Sequence, residues 1–307
     1  MSKFQRSWLL FKSSLSIIGR NKLLLAFPIG IFACTSIIVL FFLAPPLLRP
    51  TGYSYVSTQH WEAIYHSLFS QTNAAGQTGL QVAFTPGALA YLAFLYFVSM
   101  FVATFLNVAF FHEILGALSG QPVSIENGLK FAVSRWKAVA LWTVFAGLVG
   151  LLIKTIEQRL ELVGRIIARL LGLAWSVAAV FVIPVIVREE KSANPVTALR
   201  TSCAILKRTW GETLIGYVGL SFANVLILIG SLFILGCAVA ASIILQNFWI
   251  LLFAGILWLL ALFAWSYLAS VAGQVYKGAL YLYAAEGIIP QPYTQEMLDR
   301  AWKFKKS

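Results

Sequence analysis

The sequence predicts an all-α, polytopic membrane protein with six transmembrane helices and amphipathic interfacial helices. Three observations support this fold class. Six long apolar runs contain no Asp, Glu, Lys or Arg, the basic residues concentrate in alternate connections, and the composition is 60% hydrophobic and 11% charged. A membrane-spanning strand would instead be about 10 residues of alternating polarity. The chain is therefore predicted to form one integral membrane domain, residues 1–307.

The predicted spans follow one another at 23–44, 88–111, 138–153, 170–187, 214–245 and 248–273. About 20 helical residues, each rising ~1.5 Å, cross the ~30 Å hydrocarbon core. The third and fourth runs are short for this task, and the fifth is long enough to require a tilt or a break. Pro184 removes a backbone donor and predicts a bend in the fourth run. Outside the spans, the sequence predicts an interfacial helix at 1–22, an external loop at 45–87 and a cytoplasmic tail at 274–307.

The distribution of Lys and Arg predicts the orientation in the membrane. Of the 23 basic residues, 18 lie in residues 1–22, 112–137, 188–213 and 274–307. Because positive charge is retained on the cytoplasmic side during insertion, both termini are predicted to be cytoplasmic. The absence of an Asn-x-Ser/Thr acceptor is compatible with a bacterial inner (plasma) membrane. The net charge of +12 favours contact with the anionic inner leaflet, and nucleic acid is not an expected partner because the charges surround the spans.

Three short sequence echoes follow the second, fourth and sixth spans: Pro122-Val123-Ser124, Pro195-Val196-Thr197 and Pro292-Tyr293-Thr294. Proline suits the first turn of a helix and Ser or Thr suits its cap, so all three predict helix starts. They suggest three parallel repeats, each an interfacial helix followed by a two-span hairpin, with a fourth interfacial helix in the tail. The alternative is that every cytoplasmic re-entry point needs a cap and a basic anchor, without any repeat.

One concentrated polar set separates the third and fourth spans: Lys154, Glu157, Gln158, Glu161, Arg165 and Arg169. On a helix these residues share one side, and their spacing permits weak pairs such as Glu161 with Arg165. The stripe either lies flat on the outer surface or extends a span into a wet cavity. In the second case, Arg165 and Arg169 are the candidate contacts for a lipid headgroup or a small anion.

Other candidate site residues are few. Asn107 and Asn224 are the main polar residues within spans and are predicted to hydrogen-bond between helices, with a pore lining as the alternative. His60, Glu62 and His66 of the external loop do not share a helix face, so no metal site is predicted. Because the sequence contains no recognised catalytic or nucleotide-binding motif, it predicts no catalytic residue and no cofactor.

Three stretches resemble a family of uncharacterised bacterial multi-span integral membrane proteins, a domain of unknown function. They are Arg6-Ser7-Trp8 with the basic helix that follows, Pro184 with the later Pro195 to Arg200 segment, and Lys207-Arg208-Thr209-Trp210-Gly211. The helix-plus-hairpin pattern also resembles, more distantly, the membrane domains of bacterial glycerophosphodiester phosphodiesterases. The first resemblance covers most of the chain, and neither implies catalytic residues. Because the phosphodiesterase barrel is absent from this sequence, the second resemblance does not imply hydrolysis.

Three functions can be weighed from these features. A non-enzymatic accessory or scaffold protein, with a protein partner or as a homo-oligomer, fits the uncharged spans and basic interfacial helices best. A transporter or channel for a neutral or lipid-like substrate is the alternative that fits a parallel repeat and a charged outer hairpin. A lipid-modifying enzyme ranks last because no motif nominates a catalytic site.

Overall fold

The computed structural model describes residues 3–73, 80–189 and 194–299, and the side chains within them apart from those of 3–7, 70–73, 80–83, 162–163, 209–227, 296 and 299. The helices are α1 (Lys3–Arg20), α2 (Ala26–Leu47), α3 (Thr58–Leu68), α4 (Pro86–Leu118), α5 (Ile125–Ser134), α6 (Trp136–Arg159), α7 (Leu162–Ala178), α8 (Val182–Arg188), α9 (Pro195–Ile244), α10 (Phe248–Tyr281) and α11 (Gln295–Asp299). A 3-10 turn at Lys22–Leu25 precedes α2, and a π-helical turn at Leu282–Glu286 extends α10. Two short strands, β1 (Phe69–Asn73) and β2 (Leu80–Phe84), pair antiparallel in the loop between α3 and α4.

Five helical segments of the described residues are long and apolar enough to cross a membrane: Lys22–Leu47, Pro86–Leu118, Trp136–Arg159, Gly164–Arg188 and Phe248–Glu286. They correspond to predicted spans one to four and six. The predicted span at 214–245 lies within α9, but the side chains of 209–227 are outside those described. Its described part, Leu228–Ile244, is a shorter apolar helix. The six-span count and the threefold repeat therefore stay predictions.

Several helices are much longer than a bilayer is thick. Helix α4 has 33 residues and α10 has 34, which corresponds to about 50 Å each, against a hydrocarbon core of about 30 Å. Their apolar runs end at Phe111 and Gly273, and the residues that follow include His112, Glu113 and Lys277. Both helices therefore continue past the apolar layer at the same end of the bundle, where the basic connections lie.

The buried core lies at this end. Fully or almost fully buried side chains cluster in residues 108–118 of α4, 181–187 around α8 and 271–282 at the end of α10, with further contributions from α1, α5, the first half of α6 and the start of α9. We call this region the helical head: α1, α5, α8, the last turns of α4 and α10, and the first turns of α9. Towards the opposite end of the bundle, the described helices expose most of their apolar side chains, as expected for surfaces that face lipid.

Helix α4 is the centre of the packing, and three glycines let other helices approach it closely. A Cβ atom at Gly128 of α5 would lie 3.0 Å from the carbonyl oxygen of Ala109, and one at Gly147 of α6 would lie 2.6 Å from the ring of Phe97. A Cβ at Gly278 of α10 would lie 2.7 Å from Cγ2 of Ile114. The absence of a side chain at these positions therefore allows the close contacts on which the bundle depends.

The fourth predicted span bends where the sequence predicts a bend. Helix α7 ends at Ala178 and α8 begins at Val182, two residues before Pro184. The fully buried Ser202 of α9 satisfies both sides of this break: its hydroxyl donates to the carbonyl of Ala178 at 2.6 Å and accepts the N–H of Phe181 at 3.1 Å. A side chain from another helix thus replaces backbone bonds that the bend removes.

The three predicted helix starts are confirmed by their caps. Ser124 accepts the N–H of Asn127 at the start of α5, Asn194 accepts the N–H of Val196 at the start of α9, and Thr294 accepts the N–H of Met297 in α11. The separate interfacial helix predicted after the fourth span is not observed, because α9 runs unbroken for 50 residues. No proline follows Pro195 within it, so nothing stops the helix from continuing into the apolar run.

Helix α1 forms where it is predicted but packs against protein. Phe11 and Ile18 of α1 are buried, and the ring of Phe11 lies 5.2 Å from that of Trp265 on α10. Ser14 shares a 2.7 Å hydrogen bond with the hydroxyl of Tyr293, which connects α1 to the segment before α11. Burial raises the pKa of this Tyr293 phenol above its usual range. The N-terminal helix is therefore part of the helical head.

The described part of the loop at 45–87, which is predicted to be external, forms a small folded cap. Ser57 caps α3, and the aromatic rings of Tyr65, Phe69 and Phe84 stack in sequence with centroids 4.8 and 4.7 Å apart. His60 is fully buried, and its Nδ1 lies 2.7 Å from the hydroxyl of Thr51. The short β-hairpin is the one feature of the described residues that departs from the predicted all-α class.

Candidate functional sites

The charged residues between the third and fourth spans lie at the end of α6 and the start of α7. Glu157 lies 21 residues after Trp136 on the same helix, a rise of about 32 Å. This rise matches the thickness of a hydrocarbon core of about 30 Å, so the set belongs at the headgroup level opposite the helical head. Lys154 and Glu157 lie in the last two turns of α6 and Arg165 and Arg169 in the first turns of α7, so the break between the two helices falls within the charged set.

Glu157 joins the two helices of this hairpin. One carboxylate oxygen accepts from Nε of Arg169 at 3.1 Å, and the other accepts from Nζ of Lys154 at 3.1 Å. The Glu157 side chain is only 20% exposed, whereas those of Lys154 and Arg169 are 63% and 67% exposed. The carboxylate is thus held between the helices while both cations face outward. We call Lys154, Glu157, Arg165 and Arg169 the α6–α7 charged cluster.

Arg165 belongs to this cluster by position. It lies one turn before Arg169 on α7, and its backbone N–H donates to the carbonyl of Glu161 at 2.8 Å. Among the described residues, its side chain forms no ion pair, and the predicted pairing of Glu161 with Arg165 is not observed. The described ion pairs instead connect Glu157 to Lys154 and Arg169. The cluster therefore holds three cations and one carboxylate.

The face of α7 that carries the two arginines continues with small residues. Arg165, Arg169, Gly172 and Ser176 follow at spacings of four, three and four residues and share one face of α7. A Cβ on Gly172 would be in ordinary van der Waals contact with Ile153 of α6, at 3.7 Å, and the Ser176 hydroxyl donates to the carbonyl of Gly172 at 2.9 Å. This face therefore presents small side chains on the membrane-interior side of the guanidinium groups.

A second polar site lies in the helical head. A cavity of about 170 Å³ is lined by His112, Leu115, Gly116, Ser119, Gln121, Phe131, Val187 and Arg188. The His112 ring stacks on Phe131 with centroids 4.0 Å apart. Arg188 closes one side and forms a two-point ion pair with Glu286, with nitrogen–oxygen distances of 2.9 and 3.3 Å.

Sequence reasoning did not identify this cavity. Glu113 is 5% exposed and accepts the N–H of Ser124 at 2.7 Å, so it anchors the start of α5. Nε2 of His112 is 4.0 Å from the second carboxylate oxygen. The only signal in the sequence is a His-Glu pair directly after an apolar run, and the partners Arg188 and Glu286 are distant in sequence. The arrangement is an internal network that fixes α5, α8 and the end of α10 on α4.

The two asparagines predicted to contact other helices do not form a described site. Asn107 donates to the carbonyl of Ala103 at 2.8 Å, within its own helix. The side chain of Asn224 lies outside those that the structure describes. In the same described part of the chain, no three His, Cys, Asp or Glu side chains gather as metal ligands.

The five long apolar helices and their arrangement define a multi-pass membrane protein. A family model for a family of unknown function, DUF6159, matches residues 87–290, and the chain belongs to this family. The matched range contains the α6–α7 charged cluster and the cavity in the helical head. No curated protein and no solved structure matches the chain. The predicted membership of an uncharacterised family is thus confirmed, whereas the bacterial source and the likeness to phosphodiesterase membrane domains stay predictions.

Proposed function

We propose that this protein is a non-enzymatic accessory or scaffold protein of a bacterial inner membrane, with both termini in the cytoplasm. In this proposal the helical head is the part that binds a protein partner, and the apolar helices hold it at the membrane. The observation that carries the proposal is the dense apolar packing of the helical head.

Large side chains fill the region where the helices converge. Phe110, Phe181 and Tyr281 are among the largest fully buried residues of the described chain, and Leu280 and Leu282 are equally inaccessible. A channel or carrier needs a polar path through the bundle. Closely packed apolar side chains at one end of the bundle oppose such a path. A rigid helical head instead offers a stable surface for a partner.

Three buried polar groups of the head have structural partners, whereas the buried Oε1 of Gln274 has none among the described residues. Ser202 bridges the break between α7 and α8, Glu113 holds the start of α5, and Ser14 bonds to Tyr293. A catalytic group needs a free donor, acceptor or nucleophile directed into an accessible space. The use of these groups as internal hydrogen-bond partners therefore favours a binding role over an enzymatic one.

Site-specific photo-crosslinking tests the scaffold proposal. A photoreactive residue replaces Val133, which is 59% exposed on α5 of the helical head, or Ile166, which is 55% exposed at the opposite end. We expect a discrete protein adduct from position 133 and only lipid adducts from position 166. Native mass spectrometry in a mild detergent should show the same partner at a fixed stoichiometry. Lipid adducts alone at both positions, with no retained partner, would contradict the proposal.

The alternative is a transporter or channel for a neutral or lipid-like substrate, and one observation favours it. An open groove of about 490 Å³ lies along α10, lined by Phe263, Ala264, Ser266, Tyr267 and Ser270. The Tyr267 hydroxyl bonds to the carbonyl of Leu25, which places the groove beside the start of α2. Reconstitution into liposomes tests this function. Flux of a lipid or neutral solute that is lost on Ser270→Leu, which fills the groove, would support transport over the scaffold role.

A further inference from the structure

We propose that the α6–α7 charged cluster binds the phosphate of an anionic phospholipid headgroup in the leaflet opposite the helical head. In this proposal Glu157 positions Lys154 and Arg169, the two cations with which it is paired. This inference stands independently of the scaffold function, because it depends only on the geometry of the α6–α7 hairpin. It assigns a ligand class to residues that also include the predicted contacts Arg165 and Arg169.

The charge balance favours an anion. On this side of the hairpin Lys154, Arg165 and Arg169 outnumber Glu157 and Glu161, so a net positive charge remains. Arg169 uses Nε to reach Glu157, and within the described residues its two terminal nitrogens have no other hydrogen bond. A guanidinium group presents paired N–H donors that match two phosphate oxygens. The exposed edge of Arg169 can therefore bind a phosphate while its other edge stays on Glu157.

Glu157 also arranges the site before a ligand arrives. Free Lys and Arg side chains sample many rotamers, and fixing them on binding costs conformational entropy. Here Lys154 and Arg169 are each held 3.1 Å from the same carboxylate, although they come from different helices. The carboxylate thus brings two cations together and holds their spacing. Arg165, one turn away on α7, adds a third donor group at the rim.

The surroundings select a lipid over a free phosphate ion. Ile166, Ile167 and Leu170 are each more than half exposed beside the arginines, as expected for residues in contact with acyl chains. On the face of α7 that carries the two arginines, the next residues towards the membrane interior are the small residues Gly172 and Ser176. A phosphate bound at the cluster would place its acyl chains against these apolar and small residues. The rise of α6 puts the phosphate at headgroup depth.

Native mass spectrometry with defined lipids is the test. Purified protein is delipidated and incubated with equal amounts of phosphatidylglycerol and phosphatidylcholine, and the retained lipids are counted. We expect preferential retention of phosphatidylglycerol, reduced roughly tenfold in the Arg165→Gln/Arg169→Gln double variant, because hydrogen bonds to charged groups are lost. Arg159→Gln is the control for the single variant Arg169→Gln, since each removes one positive charge from the same hairpin but Arg159 lies on another side of α6. Equal losses in both variants would overturn the site and leave only general charge attraction.

Two further arms separate the remaining explanations. Inorganic phosphate at millimolar concentration should not displace the lipid, whereas efficient displacement would identify a free-anion site and contradict the lipid assignment. Glu157→Gln makes the cluster more positive, so simple attraction predicts stronger retention. Positioning by Glu157 predicts weaker and less selective retention instead. A Glu157→Gln variant that stays monodisperse and binds phosphatidylglycerol more tightly would refute the positioning role.

Discussion

The close contact between α5 and α4 gives a sharp test of the helical head. We predict that Gly128→Ala destabilises the protein although alanine is the better helix former. A Cβ at this position would lie 3.0 Å from the Ala109 carbonyl oxygen and 3.0 Å from Cγ of Glu113. One of these neighbours is backbone and cannot rotate away, so α5 must shift. Overpacking of this kind costs about 1–3 kcal/mol.

The opposing term is the helix propensity, which favours alanine over glycine by about 1 kcal/mol. The net expectation is therefore a loss of up to about 2 kcal/mol, larger for Gly128→Val. Gly19→Ala is the matched control, because a Cβ there meets no atom within 4 Å and the residue also lies in a helix of the head. That substitution should stabilise the protein by about 0.5–1 kcal/mol.

The changes in stability of both variants are measured by unfolding in the same mild detergent. Unfolding is followed by circular dichroism or by size-exclusion chromatography after heating. The expected signs are opposite. Displacement of α5 should also break the 2.7 Å bond from Ser124 to Glu113, so the Gly128 variant should lose α5 first in hydrogen exchange. If Gly128→Ala stabilises the protein as much as Gly19→Ala, α5 does not approach α4 as described and the packing argument fails.

Three other predictions address separate contacts. Ser202→Ala leaves the N–H of Phe181 and the carbonyl of Ala178 without their partner and should cost about 1–3 kcal/mol in unfolding experiments. Ser231→Ala should change stability little, because the Ser231 hydroxyl bonds only to the carbonyl of Leu228 in its own helix. Tyr293→Phe removes the bond to Ser14 and should cost about 1 kcal/mol at neutral pH. Because burial raises the pKa of Tyr293 in the folded protein, the neutral phenol contributes stability below pH ~10, and this stability is lost as the pH rises further. The loss of stability at alkaline pH should therefore be smaller in Tyr293→Phe. A membrane-impermeant maleimide should label a cysteine in place of the exposed Val56 in intact cells, and one in place of the exposed Val133 only after permeabilisation, in a background lacking the native cysteines. The reverse pattern would invert the proposed topology.

Local features of the fold could be predicted from the sequence, because each depends on neighbouring residues. The cap residues Ser124, Asn194 and Thr294 mark helix starts by their own chemistry. Pro184 predicts a bend because it lacks a backbone donor. The second strand of the β-hairpin could also have been predicted, since Leu80, Val82 and Phe84 alternate with Gln81 and Ala83 in a pattern typical of a strand.

The contacts between helices could not be predicted in the same way. The apolar runs are hydrophobic on every face, so their sequence does not indicate which face packs on α4. The role of Ser202 depends on a break in a helix that ends 24 residues earlier. In the charged hairpin, the spacing of ion pairs along one helix favoured Glu161 with Arg165, four residues apart. The carboxylate that joins the two helices is instead Glu157, 12 residues from Arg169. The turn between α6 and α7 sets that pairing, and spacing along one helix does not encode it.

The position of the core follows from the physics of the membrane. Apolar helices gain little from associating in lipid, because the acyl chains are as apolar as their side chains. Outside the hydrocarbon layer, burial of the same side chains is strongly favourable. Helices that continue past the bilayer can therefore acquire a specific arrangement in the helical head, where the last turns of α4 are packed by α5 and the end of α10. The distant half of the α6–α7 hairpin is then free to keep its apolar surface in contact with lipid, and this is where the charged cluster lies. A substitution in the helical head should thus alter how the other helices pack on α4. A substitution at Arg169 should instead alter lipid retention and leave the packed core intact.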